Sequence, residues 1–415
     1  MKILFVVKSK SIETLGSQYL AAVTKQAGHE AKIVALDEAV ASAKSWMPDV
    51  IGFSVMTGDL GAVSSLSERI KDFWPKRIKI PIIIVGGPDP TFFPQGYEWA
   101  DHVVRGEGEN WLAEFLGGNP NTFSNINDFP WPDRIDFPDM KIRDFLASRG
   151  CVNACNYCYN ESFFNLFPEI PRLRMRDPQD VVTEVESVRP QFAYFQDSVF
   201  GVSLKWLREF SWQYESRLRI PFHVHLRPDQ VNEEKIQLLS DAGCVSVKMA
   251  LETASSRLRK LINRGKTNNE HVYIAARLLK KEKIALILQN ILGLPTATIE
   301  NDLETLEANI RSRPAYAWTS IFQPYPETGL AKICEQKGLY SGDYSEIGDN
   351  FFDKSILNVS DEYKEHVSCL QRVFAFCVEM QVMPKVSDLT WERLPKFIHS
   401  VMRAVGDRRM FPGII

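Results

Sequence analysis

Over its first 118 residues the chain alternates short apolar runs with amphipathic stretches, and this alternation narrows its possible folds more than any other feature. Ile3–Val7, Ala31–Leu36, Val50–Val55, Ile80–Val85 and Val103–Val104 read as strands. Leu15, Tyr19, Leu20, Val23 and Ala27 fall on one helical face that ends at Gly28, and Leu66, Ile70 and Phe73 fall on another. A further helix is expected over Glu109–Leu116. Ile80–Val85 is a nearly continuous apolar run, as suits a strand covered on both faces. Strands alternating with helices predict a parallel, doubly wound sheet. Ligands of such sheets sit beyond the carboxyl ends of the strands. The segments there are Lys8-Ser9-Lys10, Ser54-Val55-Met56-Thr57-Gly58, Gly86-Gly87-Pro88-Asp89-Pro90-Thr91 and Arg105-Gly106-Glu107-Gly108-Glu109. Their small residues either let a large flat ligand reach the backbone or only make tight turns. No G-x-G-x-x-G follows the first strand, which argues against a dinucleotide.

Composition excludes some functions. The 415 residues are 45% hydrophobic and 24% charged, an ordinary globular balance that allows sizeable cores without disulfide staples. A net charge of −3 gives no reason to expect nucleic acid as a partner. No apolar run reaches the roughly 18 residues of a spanning helix. The apolar part of Met1–Lys8 is short for a signal peptide, so a cytoplasmic location with reduced thiols is expected. Of the seven cysteines, Cys244, Cys334, Cys369 and Cys377 are scattered and read as ordinary buried residues.

The other three form the segment Arg149-Gly-Cys151-Val-Asn-Ala-Cys155-Asn-Tyr157-Cys158, with the spacing C-x3-C-x2-C. Three thiolates on one loop can ligate three irons of a 4Fe–4S cluster and leave the fourth iron open to a small molecule. Zinc is the competing metal, but it favours four ligands, and the nearest histidines in sequence are His102 and His223. The spacing, with Tyr157 before the last cysteine, resembles the radical S-adenosylmethionine (SAM) superfamily. The resemblance extends over roughly residues 141–335. Phe195-Gln196-Asp197 resembles the end of the family's second barrel strand, His223–Arg227 the third, and Val245–Glu252 the fourth. Leu261-Ile262-Asn263-Arg264-Gly265 is similar to the family's "I-N-R-G" segment. Ile287–Pro295 resembles the fifth strand with its adenine-contacting turn, and Ile321–Gly329 the sixth. The preceding G-G-P-x-P-T and R-G-E-G-E segments resemble the cobalamin-binding domain of the cobalamin-dependent radical SAM class. The D-x-H-x-x-G cobalt-ligating motif is absent, which implies cobalamin bound without a protein histidine on cobalt.

The resemblance implies an α/β chain with a Rossmann-like cobalamin domain (1–120), a linker (121–140), a partial (β/α)6 TIM-type barrel (141–335) and a small, mostly helical C-terminal region (336–415). It implies three cofactors: a 4Fe–4S cluster on Cys151, Cys155 and Cys158, SAM, and cobalamin. It places Ser9, Ser54, Thr57, Gly86, Gly87, Thr91, Gly106, Glu107 and Gly108 at cobalamin. Glu252, Gln196, Asp197, Arg227, Asn290 and Tyr157 fall around SAM or the cluster. Alternatives stay open for several of these: Glu252 as a surface partner of Arg257 or Arg259, Asp197 as the cap of a turn, and Arg227 in a structural ion pair. Val367, Leu370, Val373, Phe374 and Cys377 share a helical face and read as core. Arg408–Pro412 reads as a loose tail.

The implied activity is methylation of an unactivated carbon through a 5'-deoxyadenosyl radical and methylcobalamin. The substrate would be a small molecule or peptide, and the electron donor a flavodoxin or ferredoxin. The same cofactors could instead serve a rearrangement, cyclisation or oxidation, which labelled methyl from SAM would distinguish. A non-catalytic iron–sulfur redox sensor would form no 5'-deoxyadenosine. A zinc-stabilised structural protein would be colourless and free of iron.

Overall fold

A computed structural model describes residues 1–407 apart from 77, 120 and 349, so Arg408–Pro412 lies outside the described residues. The first domain contains strands β1 (Lys2–Val7), β2 (Glu30–Ala35), β3 (Val50–Ser54), β4 (Ile82–Gly86) and β5 (His102–Val104). Its helices are α1 (Leu15–Gln26), α2 (Ala39–Trp46), α3 (Leu60–Phe73), α4 (Pro88–Phe92) and α5 (Glu109–Phe115). The strands form one parallel sheet in the order β2-β1-β3-β4-β5, with its switch point between β1 and β3. Alternation along each strand divides the core in two. Leu4, Val6, Ile51 and Phe53 pack towards α2 and α3, while Ile3, Phe5, Val50 and Ile84 pack towards α1 and α5. The short α2, sequence AVASAKSW, has too little apolar contrast to be read from periodicity.

The segment expected as a linker is packed between the domains. Phe123, Ile126 and Phe137 are buried, and Trp131 Nε1 donates to Asp180 at 3.0 Å.

The second domain begins with β6 (Ile142–Phe145), β7 (Ser148–Gly150), α6 (Tyr159–Leu166), β8 (Leu173–Met175), α7 (Pro178–Val188), β9 (Phe192–Phe195) and α8 (Leu204–Arg217). It continues with β10 (Phe222–Leu226), α9 (Glu233–Asp241), β11 (Cys244–Glu252), α10 (Ser256–Leu261), α11 (Asn269–Lys281), β12 (Ala285–Leu292), α12 (Ile299–Ser312) and β13 (Tyr316–Ile321). β13-β12-β11-β10-β9-β6 form one six-stranded parallel sheet, a partial barrel. β7 and β8 form a separate antiparallel hairpin that carries the cysteine loop. The sixth barrel strand is Tyr316–Ile321 and not Ile321–Gly329. Pro324 and Pro326 have no N–H for a ladder, and that stretch is the loop leading to the Thr328 cap of α13 (Gly329–Gln336).

The C-terminal helices α14 (Asp361–Met380) and α15 (Leu394–Asp407) do not form a core of their own. Val367, Leu370, Val373, Phe374 and Cys377 are buried against Leu292, Leu306, Ala317 and Ile321 of the barrel. Cys244, Cys334, Cys369 and Cys377 are all buried free thiols, and no helix among the described residues is long and apolar enough to cross a membrane.

Candidate active site between the two domains

Each cysteine of the triplet has a side-chain N–H donor. Asn153 Nδ2 lies 3.3 Å from Cys151 Sγ, Arg227 Nη1 3.7 Å from Cys155 Sγ and Asn160 Nδ2 3.8 Å from Cys158 Sγ. Such donors stabilise thiolate and tune a cluster's potential. Burial pushes Cys158 up to about 11, and the nearby Cys155 and Cys151 add to the rise against hydrogen bonds from Asn160. The Cys158 sulfur is therefore close enough to the other two to feel their charge. Among the described residues no three of His, Cys, Asp and Glu converge on a single ion. A cluster does not require that convergence, because each cysteine binds a different iron. Reduced thiols with amide and guanidinium donors suit a cluster.

The "I-N-R-G" segment holds this loop in place. Asn263 Nδ2 donates to Ala154 O (2.5 Å), and Asn156 donates through its backbone to Ile262 O (3.2 Å) and through Nδ2 to Leu261 O (2.9 Å). Arg264 donates to Ala250 O (2.6 Å) and Tyr157 Oη (3.3 Å).

The residues expected around SAM separate into two groups. Tyr157, Glu252 and Arg227 lie at the cluster loop. Tyr157 Oη donates to Glu252 Oε1 at 2.6 Å, and Arg264 stands 3.6 Å from the same oxygen. Glu252 is buried and has no surface pair with Arg257 or Arg259, which bind Thr296 and backbone carbonyls instead. Burial raises its pKa, with Arg264 and Tyr157 opposing the rise. A register shift after Ala250 and a φ of 64° turn Glu252 off the strand line. Arg227 forms the expected structural ion pair, with Asp229 (2.9 Å), and its Nη1 also reaches Cys155 Sγ. Tyr157→Phe is expected to cost about 1.5–3 kcal/mol, the worth of a hydrogen bond to a buried charge, measured by urea unfolding.

The other three residues are placed differently. Gln196 is exposed and donates to Asp144 Oδ2 at 3.1 Å. Asp197 is buried and accepts from Ala147 N (3.0 Å) and Ser148 Oγ (2.5 Å), so it anchors the hairpin ahead of the cysteines and caps no turn. Asn290 points out of the barrel. It exchanges hydrogen bonds with Asn309 of α12 (2.8 and 3.1 Å) and is fully buried. Asn290→Ala is therefore expected to cost about 1–3 kcal/mol through unpaired amides while SAM affinity stays unchanged by calorimetry.

A cavity of about 360 Å3 opens between the domains. Ser54, Gly86, Gly87, Gly106, Glu107 and Gly108 line it from the first domain; Ser148, Tyr159, Asn160, Gln196 and Ser198 line it from the second. It extends beneath the sheet past Phe5, Leu20, Gly52 and Trp111. Glycine is required at Gly87, whose φ is 111° and where a Cβ would stand 2.7 Å from Val55 O. Small apolar walls edged with hydroxyl and amide groups suit a flat macrocycle with a polar periphery. Ser9, Thr57 and Thr91 do not line the cavity. Ser9 is exposed beside Ser11, and Thr57 bonds Asp89. Thr91 is fully buried and ties the two glycine loops together, donating to Gly87 O (2.7 Å) and accepting from Gly106 N (3.0 Å).

The acidic pair of R-G-E-G-E closes onto the cysteine hairpin. Glu109 accepts from Arg149 at 2.6 Å, and Glu107 takes both terminal nitrogens of Arg174, one at 2.9 Å. The Arg149 guanidinium lies over the rings of both Tyr19 (4.8 Å) and Phe129 (4.5 Å), which meet edge to face.

Comparison with known proteins matches the same division. Residues 1–116 match the B12 binding domain family and residues 145–308 match the Radical SAM superfamily. The chain belongs to the cobalamin-dependent radical SAM proteins. Its cofactors are a 4Fe–4S cluster, SAM and cobalamin. An uncharacterized methyltransferase of Pyrococcus horikoshii is 23% identical over 367 residues, covering 76% of this chain and 77% of that one. A tRNA-2-methylthio-N(6)-dimethylallyladenosine synthase of Thermotoga petrophila is 28% identical over 177 residues, only 38% of either chain. Among solved structures, the methyltransferase TsrM from Kitasatospora setae, with cobalamin and a [4Fe-4S] cluster bound, has TM-score 0.67 at 17% identity and covers 82% of this chain and 79% of its own. The radical SAM enzyme OxsB with aqua-cobalamin has TM-score 0.64 at 17% identity, with 81% and 56% covered. At these identities the structures show a shared fold.

Sequence reasoning assigned no role to Asn153, Asn160, Arg149 or Arg264 in this radical SAM site. The asparagines adjoin cysteines and so carried a weak local signal. The Arg149 contacts span about forty residues and carried none.

Proposed function

We propose that this protein is a methyltransferase that places a methyl group on an unactivated carbon of a small-molecule or peptide substrate held in the barrel. The observation supporting this reading is the shared cavity, lined on one side by the glycine loops of the B12-binding domain and on the other by the hairpin and helix that flank the cysteines. When bound, the cluster and SAM supply the 5'-deoxyadenosyl radical, and cobalamin supplies the methyl group. Cys151, Cys155 and Cys158 would hold the cluster, with Asn153, Arg227 and Asn160 donating to their sulfurs. Tyr157 and Arg264 both contact Oε1 of Glu252, which leaves Oε2 to accept an N–H or O–H from SAM. Gly86, Gly87, Gly106 and Gly108 would let cobalamin approach the backbone, and Ser54 and Ser198 would meet its amides. A flavodoxin or ferredoxin would deliver the electron.

The test is anaerobic reconstitution with cobalamin, followed by methyl-deuterated SAM. About four irons and one cobalt per chain are expected. Deuterated methyl should appear on reduced cobalamin, and 5'-deoxyadenosine should form under reduction. Formation of 5'-deoxyadenosine with no label on cobalamin would overturn methyl transfer and leave a rearrangement, cyclisation or oxidation.

A further inference from the structure

The inner wall of the barrel carries a lysine, Lys248, that no carboxylate contacts among the described residues. Along β11, Val247, Met249 and Leu251 enter the outer core, so Ser246, Lys248 and Ala250 face the barrel axis. His223 and His225 on β10 and Tyr194 on β9 face the same space. Lys248 Nζ donates to Tyr194 Oη at 2.8 Å, and Tyr194 Oη is 3.1 Å from His225 Nε2. His225 Nδ1 lies 3.0 Å from Asp197 O. His223 stacks on Tyr194 with centroids 4.3 Å apart and meets Ser246 Oγ through Nδ1 at 2.7 Å. Its Nε2 is buried with no partner.

The carboxylate beside this cluster is Asp144 on β6, in register with Tyr194; it accepts from Gln196 at 3.1 Å and forms no ion pair with Lys248. Burial, helped by the positive charge of Lys248, holds His223 down to about 3 and His225 to about 4, so both imidazoles are neutral at physiological pH. The buried arginines nearby, Arg149, Arg176, Arg227 and Arg264, each face a carboxylate. Among the described residues Lys248 pairs with none, and its one hydrogen-bond partner is the Tyr194 phenol. An ammonium drawn from water in this way gains most from a ligand anion. Lys248 lies roughly 10–13 Å below Glu252 along β11, at about 3.3 Å per residue, and does not line the cavity shared with the first domain. The facing wall is largely apolar. Ile287 and Ile291 on β12 and Trp318 on β13 are half-buried on the inward side, and Trp318 packs edge-on against Phe351 and Phe352.

We infer that the substrate carries an anionic group, a carboxylate or a phosphate, which pairs with Lys248 inside the barrel while its apolar part lies against the Trp318 wall. This rests on the reading of the barrel interior as the substrate site.

The test uses the full cofactor-loaded chain and ligand-observed NMR titrations with benzoate, phenyl phosphate and benzamide. One of the two anions is expected to bind about 10-fold or more tightly than the neutral amide, the scale of a charge-assisted hydrogen bond. Whichever anion is preferred separates carboxylate from phosphate. K248M should abolish the preference and K248R should keep most of it. K248Q repeats the measurement if K248M does not fold. Equal binding of the three probes, binding of none, or a preference that survives in K248M and K248Q would overturn the inference. Methyl transfer to cobalamin, run on the wild-type sample without substrate, keeps the two readings apart. Its failure with anion preference intact removes the methyltransferase reading, and the reverse result removes only this site.

Discussion

Gly150→Ala is expected to strip the cluster from a protein that still has all three cysteines. Gly150 closes β7 immediately before Cys151 and holds φ at 92°. A Cβ there would stand 2.2 Å from the carbonyl oxygen of Arg172 and 2.8 Å from the Phe164 ring. The nearer obstacle is backbone of the opposing segment, which no rotamer can move aside. The strained dihedral alone costs about 1–3 kcal/mol, and relieving the contact means parting β7 from β8. That hairpin directs the cysteine loop, so iron after anaerobic reconstitution should fall from about four to below one per chain. Gly61→Ala is the control. Gly61 lies in α3 with nothing within 4 Å of the added carbon, so iron content should hold and stability should rise by about 0.5–1 kcal/mol. Full iron loading in Gly150→Ala would show that the hairpin does not position the cluster.

Glu13→Gln is expected to destabilise the chain by about 3–5 kcal/mol, because breaking a buried pair leaves its partners uncompensated. Glu13 is 6% exposed and reaches from the first domain into the barrel. Its Oε1 accepts from Gln18 (3.1 Å) and Arg143 (2.9 Å), and its Oε2 from Arg134 (2.5 Å) and the backbone N–H of Asp144 (2.7 Å). Arg134 also binds Glu184, which Arg176 holds in turn. Burial works to raise the Glu13 pKa. Arg134, the Asp144 N–H and Gln18 more than offset that and leave it below its ordinary value of 4.5. A carboxyl depressed in the folded state contributes stability that is whole near neutrality and is lost as the pH falls through the folded value. The gap between wild type and Glu13→Gln, read by urea unfolding, should therefore be widest at about pH 7 and narrower at about pH 3.5. A gap under about 1 kcal/mol at neutral pH would mean that the network does not join the domains.

The parts of the site legible from sequence share a local origin. Cysteine spacing lies within one loop. The glycine segments sit at the ends of strands already visible as apolar runs. Strand phase was not legible. In β12 the neighbours Gln289 and Asn290 are both polar amides, and only the packing of α12 decides that Asn290 points outward to Asn309. Asp197 follows the end of β9, where either face was open, and it turns to Ala147 and Ser148. The resemblance places Glu107 of R-G-E-G-E at cobalamin. Glu107 does line the cavity, but its charge is taken by Arg174, and its pKa, raised by burial, is brought below the ordinary range by Arg174 and Arg149.

The sequence by itself determined the fold class, the order of the two domains and the close spacing of the three cysteines proposed to hold the cluster. Periodicity and close spacing are properties of neighbouring residues, and they survive without knowledge of register. Only the tertiary structure decided which side chains face the barrel axis and which hold its wall. It alone also placed the Glu13 and Glu107–Arg174 bridges between the domains and left Lys248 on the Tyr194 phenol without an ion pair. Those outcomes depend on strand register, on the shift after Ala250 and on contacts made across long stretches of chain, and a single residue of slip would reverse every one of the inward and outward assignments.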